Sequence, residues 1–113
     1  MWIFMPSGGF LSAVVKPGDS EKGQVTIRAR VKGDLDDLKR LYLPSLGPIV
    51  ADTGTDYAYR ATATTDDFAS ACAAMGRAVD YPNYKAAVER RKGKAHATVY
   101  ARLWSTLLSL ERP

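Results

Sequence analysis

Gln24-Val25-Thr26-Ile27-Arg28-Ala29-Arg30-Val31-Lys32, followed at once by Gly33-Asp34-Leu35-Asp36-Asp37-Leu38-Lys39-Arg40-Leu41, is the stretch that decides the fold. In the first half Val25, Ile27, Ala29 and Val31 alternate with Gln24, Thr26, Arg28, Arg30 and Lys32, the period-two pattern of a half-buried strand. In the second half Leu35, Leu38 and Leu41 recur at helical spacing until Pro44 ends the pattern. Gly33 stops the strand, Asp34 is read as the N-cap, and Asp36 and Asp37 sit in the first turn, where the helix dipole favours negative charge. A strand that must bury one face, joined directly to an amphipathic helix, predicts a sheet covered by helices.

The flanking sequence fills in the rest. Met1–Met5 and Phe10–Val15 are aromatic and β-branched runs separated by Pro6-Ser7-Gly8-Gly9, which reads as a hairpin. Lys16–Gly23 is a polar loop, Ser45–Thr55 a connector, and Tyr57–Thr64 a fourth strand with Tyr57, Tyr59, Ala61 and Ala63 on one face. Thr65-Asp66-Asp67 caps a helix running to Asp80 with Phe68, Cys72, Met75 and Val79 on a narrow stripe. Asp80-Tyr81-Pro82-Asn83 breaks it, a short basic helix spans Tyr84 to about Arg91, and a last helix runs from about Ala95 to Leu110. The wide apolar face of that last helix marks it as the principal core helix, with Leu103 and Trp104 packed on Val25 and Ile27. The expected fold is α+β in the order ββ, β, α, β, α, α, α, a four-stranded, mostly antiparallel sheet with helices on one face.

The chain has 113 residues, one domain's worth. A composition of 46% hydrophobic and 25% charged residues is that of a folded globule. No apolar run reaches the ~20 residues of a membrane span, and the first residues lack a signal-peptide pattern. Cys72 is the one cysteine, which excludes an internal disulfide and a cysteine metal cluster and points to the cytoplasm. A net charge of +4 is modest, but it is unevenly spread. Lys85, Arg90, Arg91, Lys92, Lys94 and Arg102 face the single acid Glu89 within one segment.

Met1-Trp2-Ile3, Gly9-Phe10-Leu11-Ser12, Gly33-Asp34-Leu35, Thr55-Asp56-Tyr57-Ala58-Tyr59-Arg60 and Asp80-Tyr81-Pro82-Asn83-Tyr84-Lys85 together resemble a family of short uncharacterised proteins of bacteria and their phages. The resemblance spans most of the chain and carries no activity, cofactor or active site with it. It implies a small stand-alone accessory protein of a phage or mobile element.

Catalytic patterns are scarce. His96, the one histidine, reads as a residue at a helix start with no partner assigned by spacing, and Cys72 as a small buried core residue. The glycine pairs match neither a dinucleotide fingerprint nor a P-loop. Asp34, Asp36 and Asp37 lack the glycine and glutamate of a calcium loop. No catalytic residue, metal ligand or cofactor is therefore assigned, and the chain is read as no enzyme.

Two segments mix acid, tyrosine and base as recognition surfaces do, because tyrosine brings large contact area at small entropic cost. They give Asp56, Tyr57, Tyr59, Arg60, Tyr81, Asn83, Tyr84 and Lys85 as candidate contacts for a protein partner. The plainer reading makes Tyr57 and Tyr59 core residues and Asp80–Asn83 a helix break with an Asx turn. The alternative partner is nucleic acid, held by Arg28, Arg30 and Arg60 on the outward sheet face, with Lys32 beside them, and by Arg90, Arg91 and Lys92 at the helix junction. No alternating aromatic accompanies these arginines in sequence, which weighs against a stacking platform. The leading expectation is a non-catalytic binding module, an inhibitor or adaptor that modulates a larger protein or complex.

Overall fold

A computed structural model describes residues 1–52 and 54–111; Thr53, in the predicted connector, and Arg112 and Pro113 at the end of the chain lie outside the described residues. Two apolar strands, β1 (Trp2–Met5) and β2 (Gly9–Val14), form the predicted hairpin around Pro6-Ser7-Gly8. Gly9 has φ +66°, and a Cβ there would overlap the carboxylate of Asp34, so this turn needs glycine for its backbone and for the space. The polar loop contains one helical turn, α1 (Asp19–Lys22). The buried Asp19 carboxylate accepts hydrogen bonds from Lys16 N, Gln24 Nε2 and Thr26 Oγ1, pinning that loop to the next strand, β3 (Gln24–Ala29).

Helix α2 (Lys32–Leu41) starts two residues before the predicted cap. Val31 is exposed at its N-cap position without a side-chain cap, and Asp34 lies inside the helix, its carboxylate taken up by groups distant in sequence. The connector supplies a further short strand, β4 (Val50–Ala51), so the sheet has five strands rather than four. β4 pairs with β5 (Tyr59–Thr64), and two residues leave too little period-two signal to read. All pairings are antiparallel, in the order β1-β2-β3-β5-β4.

One sheet face carries Ile3, Met5, Leu11, Ala13, Val25, Ile27, Ala29, Ala61 and Ala63, and packs with Leu35 and Leu38 of α2 and with Phe68, Ala71 and Met75 of α3 (Thr65–Arg77). The short alanine side chains of β5 leave room for Phe68 and Met75 to reach the sheet. Thr64, one residue before the expected capping run, caps α3 by accepting from Asp67 N. The helix ends at Arg77, short of Asp80, which leaves Val79 exposed.

The last two helices, α4 (Tyr84–Lys92) and α5 (Lys94–Leu107), form a hairpin around Gly93, and a 3₁₀ turn (Leu108–Leu110) follows. Asn83 caps α4 through Ala86 N, as an Asx break requires. The α5 helix is not the principal core helix. Its buried residues, Ala97 and Tyr100, pack with Val88 of α4 and with Phe4 and Phe10, which project from the sheet face opposite the main core. Trp104 is 65% exposed and has no place against Val25 and Ile27, whose face α2 and α3 already fill.

Candidate binding surface

The β1 and β2 strands are apolar on both faces, unlike β3. Ile3, Met5 and Leu11 enter the main core, while Trp2, Phe4 and Phe10 project to the other side. There they start a chain of aromatic contacts. Trp2 meets Phe4 and Phe10 edge-on, Phe4 and Phe10 stack at 4.5 Å, and Phe4 meets Tyr100 edge-on at 5.4 Å. Tyr100 stacks on Tyr84, Tyr84 touches Tyr81, and Phe10 touches Tyr57. The two tyrosine segments that sequence reading singled out are therefore joined through residues it did not single out.

Within the first segment, Asp56 is exposed in the turn before β5 and Tyr59 packs on the main core. Tyr57 does not share the Tyr59 face. Residues 54–58 form the turn between β4 and β5, closed by Asp52 N donating to the Ala58 carbonyl, so strand alternation does not extend to Tyr57. Its buried ring lies instead against Phe10, Arg28 and Arg30. Arg60 donates to Thr55 Oγ1 and to the Tyr57 carbonyl.

In the second segment Asn83, Tyr84 and Lys85 line a groove of about 660 Å³ between α4 and α5, floored by Phe4, Val88 and Tyr100 and bordered by Trp104 and Leu107. The hydroxyls of Tyr84 and Tyr100 are buried without a hydrogen-bond partner. Burial, helped by the nearby Tyr81, pushes the Tyr84 hydroxyl up to about 12. Burial also raises Tyr100, and the negative charge of Asp34 and then Tyr84 add to it. Both phenols therefore stay protonated near neutral pH.

The hairpin is fastened to the domain by charge. Lys92 Nζ donates to Asp34 Oδ1 at 2.9 Å and to Asp37 Oδ2, and His96 Nε2 lies 3.4 Å from Asp34 Oδ1. Phe10 N donates to the other Asp34 oxygen. The Lys92 side chain is 7% exposed and that of Asp34 3%, so this is a buried ion pair. Burial alone would raise Asp37, but hydrogen bonds from Lys92 and Arg40 win and hold its carboxyl below the usual carboxylate range.

These positions revise the nucleic-acid candidates. Lys92 is committed to the two aspartates, Arg91 reaches Asp80, and Lys32 belongs to α2 and pairs with Asp36, while Arg90 is exposed. Arg28 and Arg60 are direct cross-strand partners, and Arg30 joins them over Tyr57 from beyond the end of β3. Aromatics do accompany them, because the β1–β2 hairpin brings Trp2 and Phe10 onto the same sheet face. The signal for this lay in the two-sided apolar character of residues 2–14, which requires both faces to be covered there.

Among the described residues no group of three or more His, Cys, Asp or Glu is arranged to hold a metal ion, and no helix is long and apolar enough to cross a membrane. No family model matches the chain, nor does any curated protein or solved structure.

Proposed function

We propose that this chain is a non-catalytic binding module that docks a segment of a larger protein against the α4–α5 hairpin. It would act as an accessory inhibitor or adaptor of the phage or mobile-element kind that the sequence resemblance implies. The observation that carries this reading is the apolar side of α5. Trp104 and Leu107 are exposed along the wall of the groove, and Leu110 is exposed in the 3₁₀ turn that follows. Exposed apolar area of this kind, rimmed by polar groups, marks an interaction site.

The rim favours an occupant of one chemistry. Lys85 lines the groove, Arg102 lies on the outer side of α5, and Arg90 and Lys94 stand at the hairpin turn. A basic rim around an apolar groove suits an amphipathic segment with aliphatic or aromatic anchors flanked by acidic residues. Asn83, Tyr84 and Lys85 line this groove, Tyr81 packs beside Tyr84, and Tyr57 supports the surface from behind through Phe10 and Phe4.

The test compares wild type with Trp104→Glu in native-source copurification. The exposed position predicts an unchanged melting temperature for the variant and loss of a stoichiometric protein partner. Retention of that partner by the variant, or recovery of nucleic acid in place of protein at moderate salt, would refute the reading.

A further inference from the structure

Trp2, Ser12, Arg28 and Arg60 occupy one lateral row of the sheet, each residue the direct register partner of the next across β1, β2, β3 and β5. Partners in register project to the same side. The strand spacing puts Trp2 about 10 Å from Arg28, with Arg60 a further ~5 Å on.

The two arginines are an unusual pair. Like charges directly opposite on adjacent strands repel, yet no acid among the described residues pairs with them. Neither Arg28, Arg30 nor Arg60 takes part in a salt bridge among the described residues, and Asp56, one residue from Tyr57, pairs with none of them. The contacts they do make are to neutral groups and fix their orientation. Arg28 Nη2 donates to Ser12 Oγ at 2.8 Å while its guanidinium lies 4.3 Å from the Tyr57 ring centroid. Arg60 Nη2 donates to Thr55 Oγ1 at 2.9 Å, and Arg30 lies over the same tyrosine at 5.2 Å. The Nε donors of Arg28 and Arg60 are buried without an acceptor, so the patch is rich in donors and poor in acceptors. Three guanidinium groups, two of them held in place, provide what a phosphate requires: planar forks of N–H donors and uncompensated positive charge.

Trp2 completes the row. The residue is 65% exposed, and its indole makes edge contacts with Phe4 and Phe10. An exposed indole held in this way is a surface on which a nucleobase can stack.

We propose that this row is a nucleotide-binding platform, with a phosphate on Arg28 and Arg60, Arg30 adding charge, and a base on Trp2. The phosphate could come from a mononucleotide or from the backbone of a single strand. The site shares Phe4, Phe10 and Tyr57 as supports with the α5 docking surface but does not rest on a partner bound there.

The experiment follows Trp2 fluorescence in a Trp104→Phe background, where Trp2 is the only indole, during titration at low ionic strength with inorganic phosphate, a mononucleotide and a short oligothymidylate. The platform predicts saturable quenching by the nucleotide ligands. Arg30→Gln, which removes no protein hydrogen bond, and Arg28→Gln should each weaken binding about tenfold, the loss expected for one charge-assisted contact. Trp2→Ala, followed by calorimetry, should weaken the nucleotides and leave inorganic phosphate unaffected. Binding of the mononucleotide as tightly as the oligomer identifies a small nucleotide as the ligand. Tighter oligomer binding, with log K falling against log salt by about 0.7 per contact, identifies a single strand. Absence of quenching by either nucleotide ligand, or quenching unaffected by both arginine substitutions in variants that melt like wild type, overturns the proposal.

Discussion

Replacing Lys92 by methionine tests how the α4–α5 hairpin is held on the domain. Methionine keeps most of the buried aliphatic stem but removes the ammonium that serves both Asp34 and Asp37. Asp34 would then remain buried with only the Phe10 N–H at 3.1 Å and His96 at 3.4 Å. Removing one partner of a buried pair costs about 3–5 kcal/mol, because the other charge stays desolvated. The remaining contacts of Asp34 and the partial exposure of Asp37 place the expected loss near the lower end, about 3 kcal/mol. That is a large part of a total stability of about 5–15 kcal/mol, and it corresponds to a fall in melting temperature of about 10–15 °C. Urea denaturation followed by circular dichroism measures the loss. Hydrogen exchange should locate it, with amides of α5 losing protection before those of β3. Adding Asp34→Asn removes the stranded charge while keeping an acceptor for Phe10 N, so the double variant should recover about 1 kcal/mol or more. A single variant within about 0.5 kcal/mol of wild type, or a double variant that is simply additive, would refute the claim that this pair anchors the hairpin.

Gly9→Ala should destabilise by more than about 2 kcal/mol in thermal melts, since φ +66° is unfavourable for alanine and its Cβ would overlap the Asp34 carboxylate; a neutral result would displace Asp34 from this position. Tyr84 and Tyr100 have folded-state values above the ordinary tyrosine value, so the unfolded chain loses those protons first as pH rises through about 10. Stability should fall from there toward about 12, where Tyr84 ionises in the folded state, and Tyr84→Phe should flatten the decline in urea titrations at alkaline pH. Cys72 is partly buried, and burial raises its thiol, so labelling by a disulfide reagent at neutral pH should be slow in the folded protein and fast in denaturant; equal rates would contradict that placement.

The local elements were legible because their signals are local. Gln24–Ala29 alternates because one face of β3 is buried, Leu35 and Leu38 fall on the inner side of α2, and Asn83 caps α4 directly after Pro82. The hairpin of residues 2–14 follows from two apolar runs and a turn that only glycine tolerates. What each apolar face covers is a different matter, since periodicity states that a face must be buried and not against what. The broad face of α5 read as the lid of the sheet, but α2 and α3 had already filled that side, and Trp104 was left in solvent. Asp34 read as a helix cap from its neighbours in sequence, whereas folding brings it Phe10 from 24 residues before and Lys92 from 58 residues after. The arginines likewise appeared without aromatics because Trp2 and Arg28 are 26 positions apart in the chain and two strands apart in space. Sequence determined the longer strands, the longer helices and the hairpin turn through interactions spanning a few residues; tertiary structure decided the surfaces, because a surface is made of residues whose neighbours are chosen by strand register and by which helix reaches each sheet face first.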